Sequence, residues 1–420
     1  MVEGNENTSV VIVGAGVAGV TLGNFLLRSG VDCVILEKHS RAYVEQRQRA
    51  GTIDSRGVRM FRDWGLGEVV KDESSPELSG GIWIDEIMYP MDFDEDEDGG
   101  NEEGDDSVFC PQQVLVRNLT DVFLRDGGDL RFEAADVSLE GIEGVEGVAG
   151  TDGVPGPGPG PGGGGGGERP LVRYRAADGS MKAVSCDFVA GCDGHHGVSR
   201  ASVPAGVLTR YAHEYGYSWL SVLAEVPADT SGMAIHARGL AGMIPRGADA
   251  SRLYLQCSVD DTPEQWPDER VWSEMAARFG NSVPVGRILD KRIVPLRCVV
   301  YSPMSYGRLF LLGDAAHIVP PMSAKGIHLA LYDTEVFARA VVQQLQKGDA
   351  SLLESYSDTC LGHIWNYQAF AVWITDLMHN AGDASYEGEF RKQIARAELQ
   401  RQFSSPAANR LFSELSAGVL

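Results

Sequence analysis

The sequence predicts an α/β protein, with a nucleotide-binding domain, a sheet-based second domain inserted into it, and a helical C-terminal region. Three observations predict this. The apolar strand "SVVIVGAG" runs into a glycine-rich turn and then into the helix "GVTLGNFLLRSG". Residues 206–295 change character, mixing strand-like runs ("YSWLSVLAEV", "SRLYLQCSV") with a helix near "DERVWSEMAARFG". From about Ser351 the apolar spacing is helical.

The bulk numbers bound the rest. A chain of 420 residues is too long for one ordinary core and points to two or three packed units. Hydrophobic content of 43% is enough for a globular protein, and no apolar run approaches the length of a membrane span. The start "MVEGNENTSVVIVGAG" lacks a basic region followed by an apolar core and a cleavage site, so a soluble, cytoplasmic protein is expected. The cysteines (Cys33, Cys110, Cys186, Cys192, Cys257, Cys298 and Cys360) are scattered, odd in number and form no CxxC pair. Reduced thiols are expected, with no disulfide framework and no metal site. A net charge of -23 argues against nucleic acid as a partner.

Taken in order, the first element is GxGxxG at Gly14, Gly16 and Gly19, with Ala18 inside it. Gly14 permits a tight turn, Gly16 lets the backbone approach a pyrophosphate, and Gly19 allows close helix–strand packing. The helix start offers free N–H groups and a positive partial charge. The next strand, "DCVILEK", ends on Glu37, whose carboxylate can accept both hydroxyls of an adenosine ribose. This is a Rossmann-type βαβ start. The acidic run "DFDEDEDGGNEEGDD" over 92–106 carries ten acids and no base, and reads as a solvated insertion. The Gly/Pro-rich segment 141–168 cannot bury enough apolar surface to offset its ordering entropy. It is flanked by "DLRFEAADVSLE" and "RPLVRYRAADGSMKAVSCDFVAGCDG", so a hairpin or meander with a lengthened turn is expected.

The expected organisation is a discontinuous nucleotide domain over 1–80, 107–205 and 296–350. A sheet domain follows over 81–106 and 206–295, and a helical region over 351–420. GxGxxG alone does not choose between NAD and FAD. Three further segments choose: "RQRAG" at 47–51, "CDGHHGVSR" at 192–200, and "GRLFLLGDAAHIVPPMSAKGIH" at 307–328. One cofactor site built from such distant segments suits a long, enclosed ligand, FAD.

These residues together resemble the class A FAD-dependent aromatic hydroxylases, of the para-hydroxybenzoate hydroxylase family. The similarity includes "VVIVGAGVAG", "VILEKHSRAYVEQRQRAG", "FVAGCDGHHGVSR", "WPDERVW", "IVPLR" and "GRLFLLGDAAHIVPPMSAKG". The resemblance implies that Glu37 holds the ribose, that Arg49 and Gln112 contact the FAD phosphates and ribityl region, and that Asp314 binds the ribityl chain. Arg47, Ala50, Gly51 and Asp193 complete the implied cofactor set. A helix starting near Lys325, with Gly326, Ile327 and His328, would aim amides at the flavin pyrimidine edge. Reduced flavin is anionic there, which a helix N-terminus stabilises. NADPH or NADH would dock transiently at Lys38, Tyr43, Arg47, His196 and Arg297, although an ordinary surface cation fits each basic position too. The implied reaction passes hydride to flavin, adds dioxygen to give a C4a-hydroperoxide, and transfers one oxygen to an electron-rich ring. A homodimer is the family expectation.

In the same register Arg246 would bind the carboxylate of an aromatic acid, a bidentate task that suits guanidinium. Tyr254 would touch the same carboxylate, and Arg252 is a second, structural arginine. Pro321 would face both flavin and substrate. Several positions depart from the family. Ile244 replaces a serine that contacts the carboxylate. The family's tyrosine–tyrosine–histidine relay is missing: its places fall near Ile235–His236, near Ser416, and in "SSPELSGG". An asparagine is replaced by His328. His236 either substitutes for the lost base or lies on an exposed loop. The implied substrate is therefore an amino- or hydroxybenzoate, such as 3-amino-4-hydroxybenzoate or 4-hydroxybenzoate. Rival readings are a flavin-dependent dehydrogenase or reductase without oxygen insertion, and a non-enzymic flavin redox sensor.

Overall fold

The computed structural model describes residues 6–46, 51–70, 79–84, 87–90, 108–143, 169–227, 230–246, 249–280, 283–379 and 386–417. The acidic run at 92–106 and residues 144–168 of the Gly/Pro-rich segment lie outside them.

Val10–Val13 is a run of β-branched residues with no polar side chain, and it forms a strand buried on both faces. It lies inside a six-stranded sheet, between Cys33–Leu36 and Phe188–Gly191, all three parallel. Leu309–Leu311 lies beyond Phe188–Gly191, and Asp129–Arg131 beyond Cys33–Leu36. The first crossover is the dinucleotide helix Val17–Arg28. It stops at Gly30, whose φ of +71° lets Val31 N–H donate back to Leu26 O at 2.9 Å.

A second sheet has eight strands, in the order 317–318, 287–302, 209–225, 251–258, 241–245, 230–235, 79–84, 87–90. Its side chains alternate between faces. Leu220, Val222, Leu253, Leu255 and Met243 pack on one face under the helix Asp268–Phe279, with Val271, Met275 and Phe279. Trp219, Tyr254, Val294 and Ile82 belong to a separate cluster on the other face, shared with the helix Tyr356–Met378. The strand Arg287–Ser302 passes through residue 296 without interruption, and Val299 pairs with Ile318.

A third, four-stranded sheet contains the expected hairpin, with Leu171 opposite Glu140 in antiparallel register. The C-terminal region is helical at Ser351–Glu354, Tyr356–Met378, Tyr386–Ser404 and Pro406–Ala417. All seven cysteines are buried, and none forms a disulfide. Among the described residues no helix is long and apolar enough to cross a membrane, and no cluster of His, Cys, Asp and Glu could hold a metal ion.

Candidate active site

The cofactor segments meet at the carboxyl ends of adjacent parallel strands, where ligands bind in open α/β sheets. Gly14 N–H donates to Leu36 O at 2.7 Å, Cys192 N–H to Val13 O at 2.8 Å, and Leu312 N–H to Gly191 O at 3.0 Å. Strand pairing therefore brings GxGxxG, Glu37, "CDG" and "GDA" to one edge. Gly14 has φ +104°, and a Cβ there would stand 2.5 Å from Cys192 O. A Cβ on Gly19 would stand 1.9 Å from Gly14 O, whereas one on Gly16 would meet no atom within 4 Å. Two of the glycines are thus required by backbone packing, and the third faces open space. Ala18 is buried beside them.

Glu37 is buried, and its two carboxylate oxygens accept from Ala15 N–H at 2.9 Å and His39 N–H at 2.8 Å. Each oxygen keeps a lone pair for a ribose hydroxyl. Gly51 packs against backbone: a Cβ there would lie 2.4 Å from Cys110 O. Gln112 opens the helix Gln112–Arg125 directly after that contact. Arg47, Arg49 and Ala50 lie outside the described residues. Asp193 turns inward, its Oδ2 accepting from Ser199 N–H at 2.8 Å and Ser199 Oγ at 3.0 Å. Burial raises its carboxyl pKa. Its side chain is committed to the turn that carries "CDG". Asp314 lies near His195, whose imidazole burial and the Arg297 and Arg200 cations lower to about 4.

The cradle helix Gly326–Lys347 has no acid in its first turn. A Cβ on Gly326 would meet no atom of the described residues within 4 Å, so the backbone there borders open space, as at Gly16. Ile327 is half-buried beside it. Lys325 is buried at the helix cap, and burial lowers its ammonium pKa. His328 is buried one turn in, and its Nε2 accepts from Asp54 N–H at 3.2 Å. Pro321 opens a short 3₁₀ turn, Pro321–Ser323, and Met322 of that turn packs on the aromatic cluster of the second sheet. Open backbone at Gly16 and Gly326, the buried Glu37 carboxylate on the same sheet edge as the glycine turn, and a cationic helix start together fit a flavin dinucleotide.

On the sheet, burial lowers the Arg246 guanidinium pKa, and the neighbouring Tyr254 hydroxyl opposes that shift. Tyr254 packs against Trp219 with ring centroids 4.7 Å apart and planes tilted by 44°, and Trp219 Nε1–H donates to His379 Nε2 at 2.7 Å. Tyr217 stacks on the same histidine at 4.9 Å. Ile244 precedes Arg246 by two residues and shares its face. Arg252 is buried, 3.8 Å from Asp290 Oδ2. His236 lies at the end of a neighbouring strand, where its Nδ1 accepts from Arg238 N–H at 3.1 Å, a contact within its own turn. Residues 74–78 and the Ser416 side chain lie outside the described set. The expected reductant-docking residues form two groups. Lys38 and Tyr43 are exposed after Glu37, Tyr43 stacking on His39 at 4.2 Å, while exposed His196 adjoins His195 near Arg297.

Sequence reasoning assigned no role to four contributors. Asp333, fully buried in the cradle helix, accepts from Gly313 N–H at 2.9 Å and lies 2.7 Å from His317 Nε2. It thereby fixes both flanks of Asp314. Arg200 Nη1 donates to Ala315 O at 2.9 Å, tying "CDG" to "GDA". Trp219 and His379 are buried together beneath Tyr254. The period-two pattern around Trp219 was a signal; the 160-residue separation of His379 from Trp219 left none. Asp333→Ala is expected to cost about 3 kcal/mol, because two buried donors lose their acceptor. Thermal unfolding checks this, with Asp333→Asn retaining part of the loss-sensitive contact.

His328 and His379 are both held neutral, burial lowering each imidazole to about 4. The unfolded chain protonates them near pH 6.5. Their stability contribution is therefore complete above about pH 6.5 and is lost as pH falls toward 4. Urea midpoints at pH 7 and pH 5 should differ by about 1–2 kcal/mol per histidine. An unchanged midpoint would mean the rings are not buried neutral.

Comparison with known proteins agrees with this geometry. The family described as "FAD binding domain" matches residues 7–151 and 164–371. The p-hydroxybenzoate hydroxylase of Acinetobacter baylyi is 31% identical over 418 residues, covering 98% of this chain and 95% of that protein. The structure of p-nitrophenol 4-monooxygenase from Pseudomonas putida superposes with a TM-score of 0.75 at 15% identity, covering 98% of this chain and 99% of that one. Anhydrotetracycline hydroxylase from Streptomyces rimosus gives a TM-score of 0.72 at 20% identity, covering 98% and 76%. At those identities the two structures speak for the fold.

Proposed function

The chain belongs to the FAD-binding-domain family of flavoprotein aromatic monooxygenases, and from that membership we propose that it hydroxylates an aromatic carboxylic acid. The substrate class is an amino- or hydroxybenzoate, such as 3-amino-4-hydroxybenzoate or 4-hydroxybenzoate. The balanced reaction is aryl-H + O2 + NAD(P)H + H+ giving aryl-OH + NAD(P)+ + H2O.

The observation that carries the substrate class is Arg246. It is a guanidinium drawn out of water beside Tyr254, on the sheet face whose cluster also receives Met322 of the cradle turn. A buried cation of this kind is stabilised by a carboxylate in bidentate contact. Tyr254, backed by the buried Trp219, would supply an aromatic wall for the ring, and the cluster around them excludes water. Bound FAD supplies the hydride acceptor and the oxygen-activating ring. Gly16 and the dinucleotide helix start would hold its pyrophosphate, Glu37 the ribose, Asp314 the ribityl chain, and Gly326 and Ile327 the pyrimidine edge. Lys38, Tyr43, Arg47, His196 and Arg297 would receive the transient reductant. With the tyrosine–tyrosine–histidine relay missing, an amino-activated ring needs less help from phenol ionisation than 4-hydroxybenzoate does.

The test is a screen of aromatic acids for stimulated NAD(P)H consumption, with product mass read in parallel. A stimulating acid whose product gains one oxygen atom supports the proposal. Stimulated oxidation with no mass gain for any acid would favour a dehydrogenase or reductase instead.

A further inference from the structure

We propose that His328 is a positioning residue that clamps the first turn of the cradle helix to the cap of the helix Ser55–Asp63, with one buried water behind it completing the clamp. This rests on the reading of Gly326–Lys347 as the flavin cradle.

The clamp starts from hydrogen-bond direction. Asp54 N–H donates to His328 Nε2 at 3.2 Å, so that nitrogen is unprotonated and the ring proton sits on Nδ1. The Asp54 side chain is engaged too: its Oδ1 accepts from Gly57 N–H at 2.8 Å and caps Ser55–Asp63. One side chain of the cradle therefore reaches the residue three positions beyond Gly51. The two cofactor-facing segments are locked together through it.

The water follows from what is left over. The Thr52 backbone also approaches the His328 ring, but among the described residues no atom accepts directly from its buried Nδ1, and Nε2 of His363, on the helix Tyr356–Met378, is likewise buried without a hydrogen-bond partner among them. Asp54 Oδ2 lies 3.7 Å from His328 Nδ1, too far for a direct hydrogen bond. All three residues line one cavity of about 20 Å³, together with Arg56, Tyr332 and Tyr367. That volume holds one water, given two to four polar partners. The Nδ1–H of His328 is a donor. Asp54 Oδ2 and, in its Nδ1–H tautomer, His363 Nε2 are acceptors. One water accepts once and donates twice, which matches this set. Burial lowers both imidazoles to about 4, so both stay neutral at working pH and the pattern persists.

The test compares FAD dissociation constants and the midpoint potential of bound FAD in wild type, His328→Phe and His328→Gln, with a high-resolution crystal structure of the FAD-bound protein. His328→Phe keeps the ring and leaves the Asp54 amide unpaired; FAD affinity should fall roughly tenfold. The potential should fall as well, because the helix amides no longer face the flavin squarely. His328→Gln offers an acceptor and should restore most of both, which a merely space-filling role would not. The crystal should show one water within hydrogen-bond reach of both histidines. If His328→Phe does not fold, His363→Phe carries the test: it removes one water partner, should lose the water, and should weaken FAD about threefold. Wild-type values of affinity and potential in His328→Phe, or a dry cavity in the wild type, overturn the proposal. Failure of the wild type itself to bind FAD overturns the cradle reading instead.

Discussion

Gly19→Ala is expected to leave a protein that retains no FAD. The added Cβ would stand 1.9 Å from Gly14 O and 3.0 Å from Gly14 C, and both are backbone atoms. The turn cannot retreat. Gly14 already sits at φ +104°, with its own Cα facing the Cys192 carbonyl of the neighbouring strand. The helix Val17–Arg28 must therefore lift from the sheet, and that helix start is the phosphate seat we propose. Such overpacking against backbone costs about 3 kcal/mol. The measurement is the flavin absorbance that co-purifies with the variant, followed by FAD titration. Gly16→Ala is the control, since a Cβ there meets no protein atom within 4 Å. It should fold as wild type and lose affinity only for the dinucleotide. If Gly19→Ala retained FAD as wild type does, the turn would have to be softer than its contacts allow.

Arg246→Ala should raise the KM of the best aromatic acid on the order of 100-fold, corresponding to about 3 kcal/mol for a desolvated, charge-assisted pair. The effect should be selective. A neutral amide analogue of the same acid never made the pair, so its KM should barely move. Arg246→Lys should recover only part of the loss, because an ammonium cannot present the planar fork. Burial already lowers the guanidinium pKa and the Tyr254 hydroxyl opposes that shift, so a substrate carboxylate would oppose it further. An unchanged KM for the acid in Arg246→Ala would show that the carboxylate binds elsewhere.

Much of this molecule was legible in the sequence, and the reason is local. Val10–Val13, GxGxxG and the dinucleotide helix are specified within about twenty residues by period, glycine placement and caps. The hairpin of Ala135–Glu140 and Leu171–Arg175 was readable because its flanks alternate, whatever lies between them. The FAD segments were readable as separate strings because each ends a strand with glycine and acid. The seven cysteines read as reduced thiols from spacing alone, and each is buried and outside any disulfide.

What the sequence by itself determined was the class of protein and the identity of its cofactor. What only the tertiary structure decided was which side chains share a space. Asp333 sits 20 residues beyond Gly313, and nothing local says that its carboxylate returns to hold that amide. His379 meets Trp219, and His328 meets Asp54 across 274 residues, because packed sheets and helices bring them together. The physical reason is one of range. Backbone propensity and capping act within a turn or two. A buried polar atom must find its partner wherever the packed fold places one. The Trp219–His379 contact, the support beneath Asp314 and the clamp on the cradle are all of that second kind.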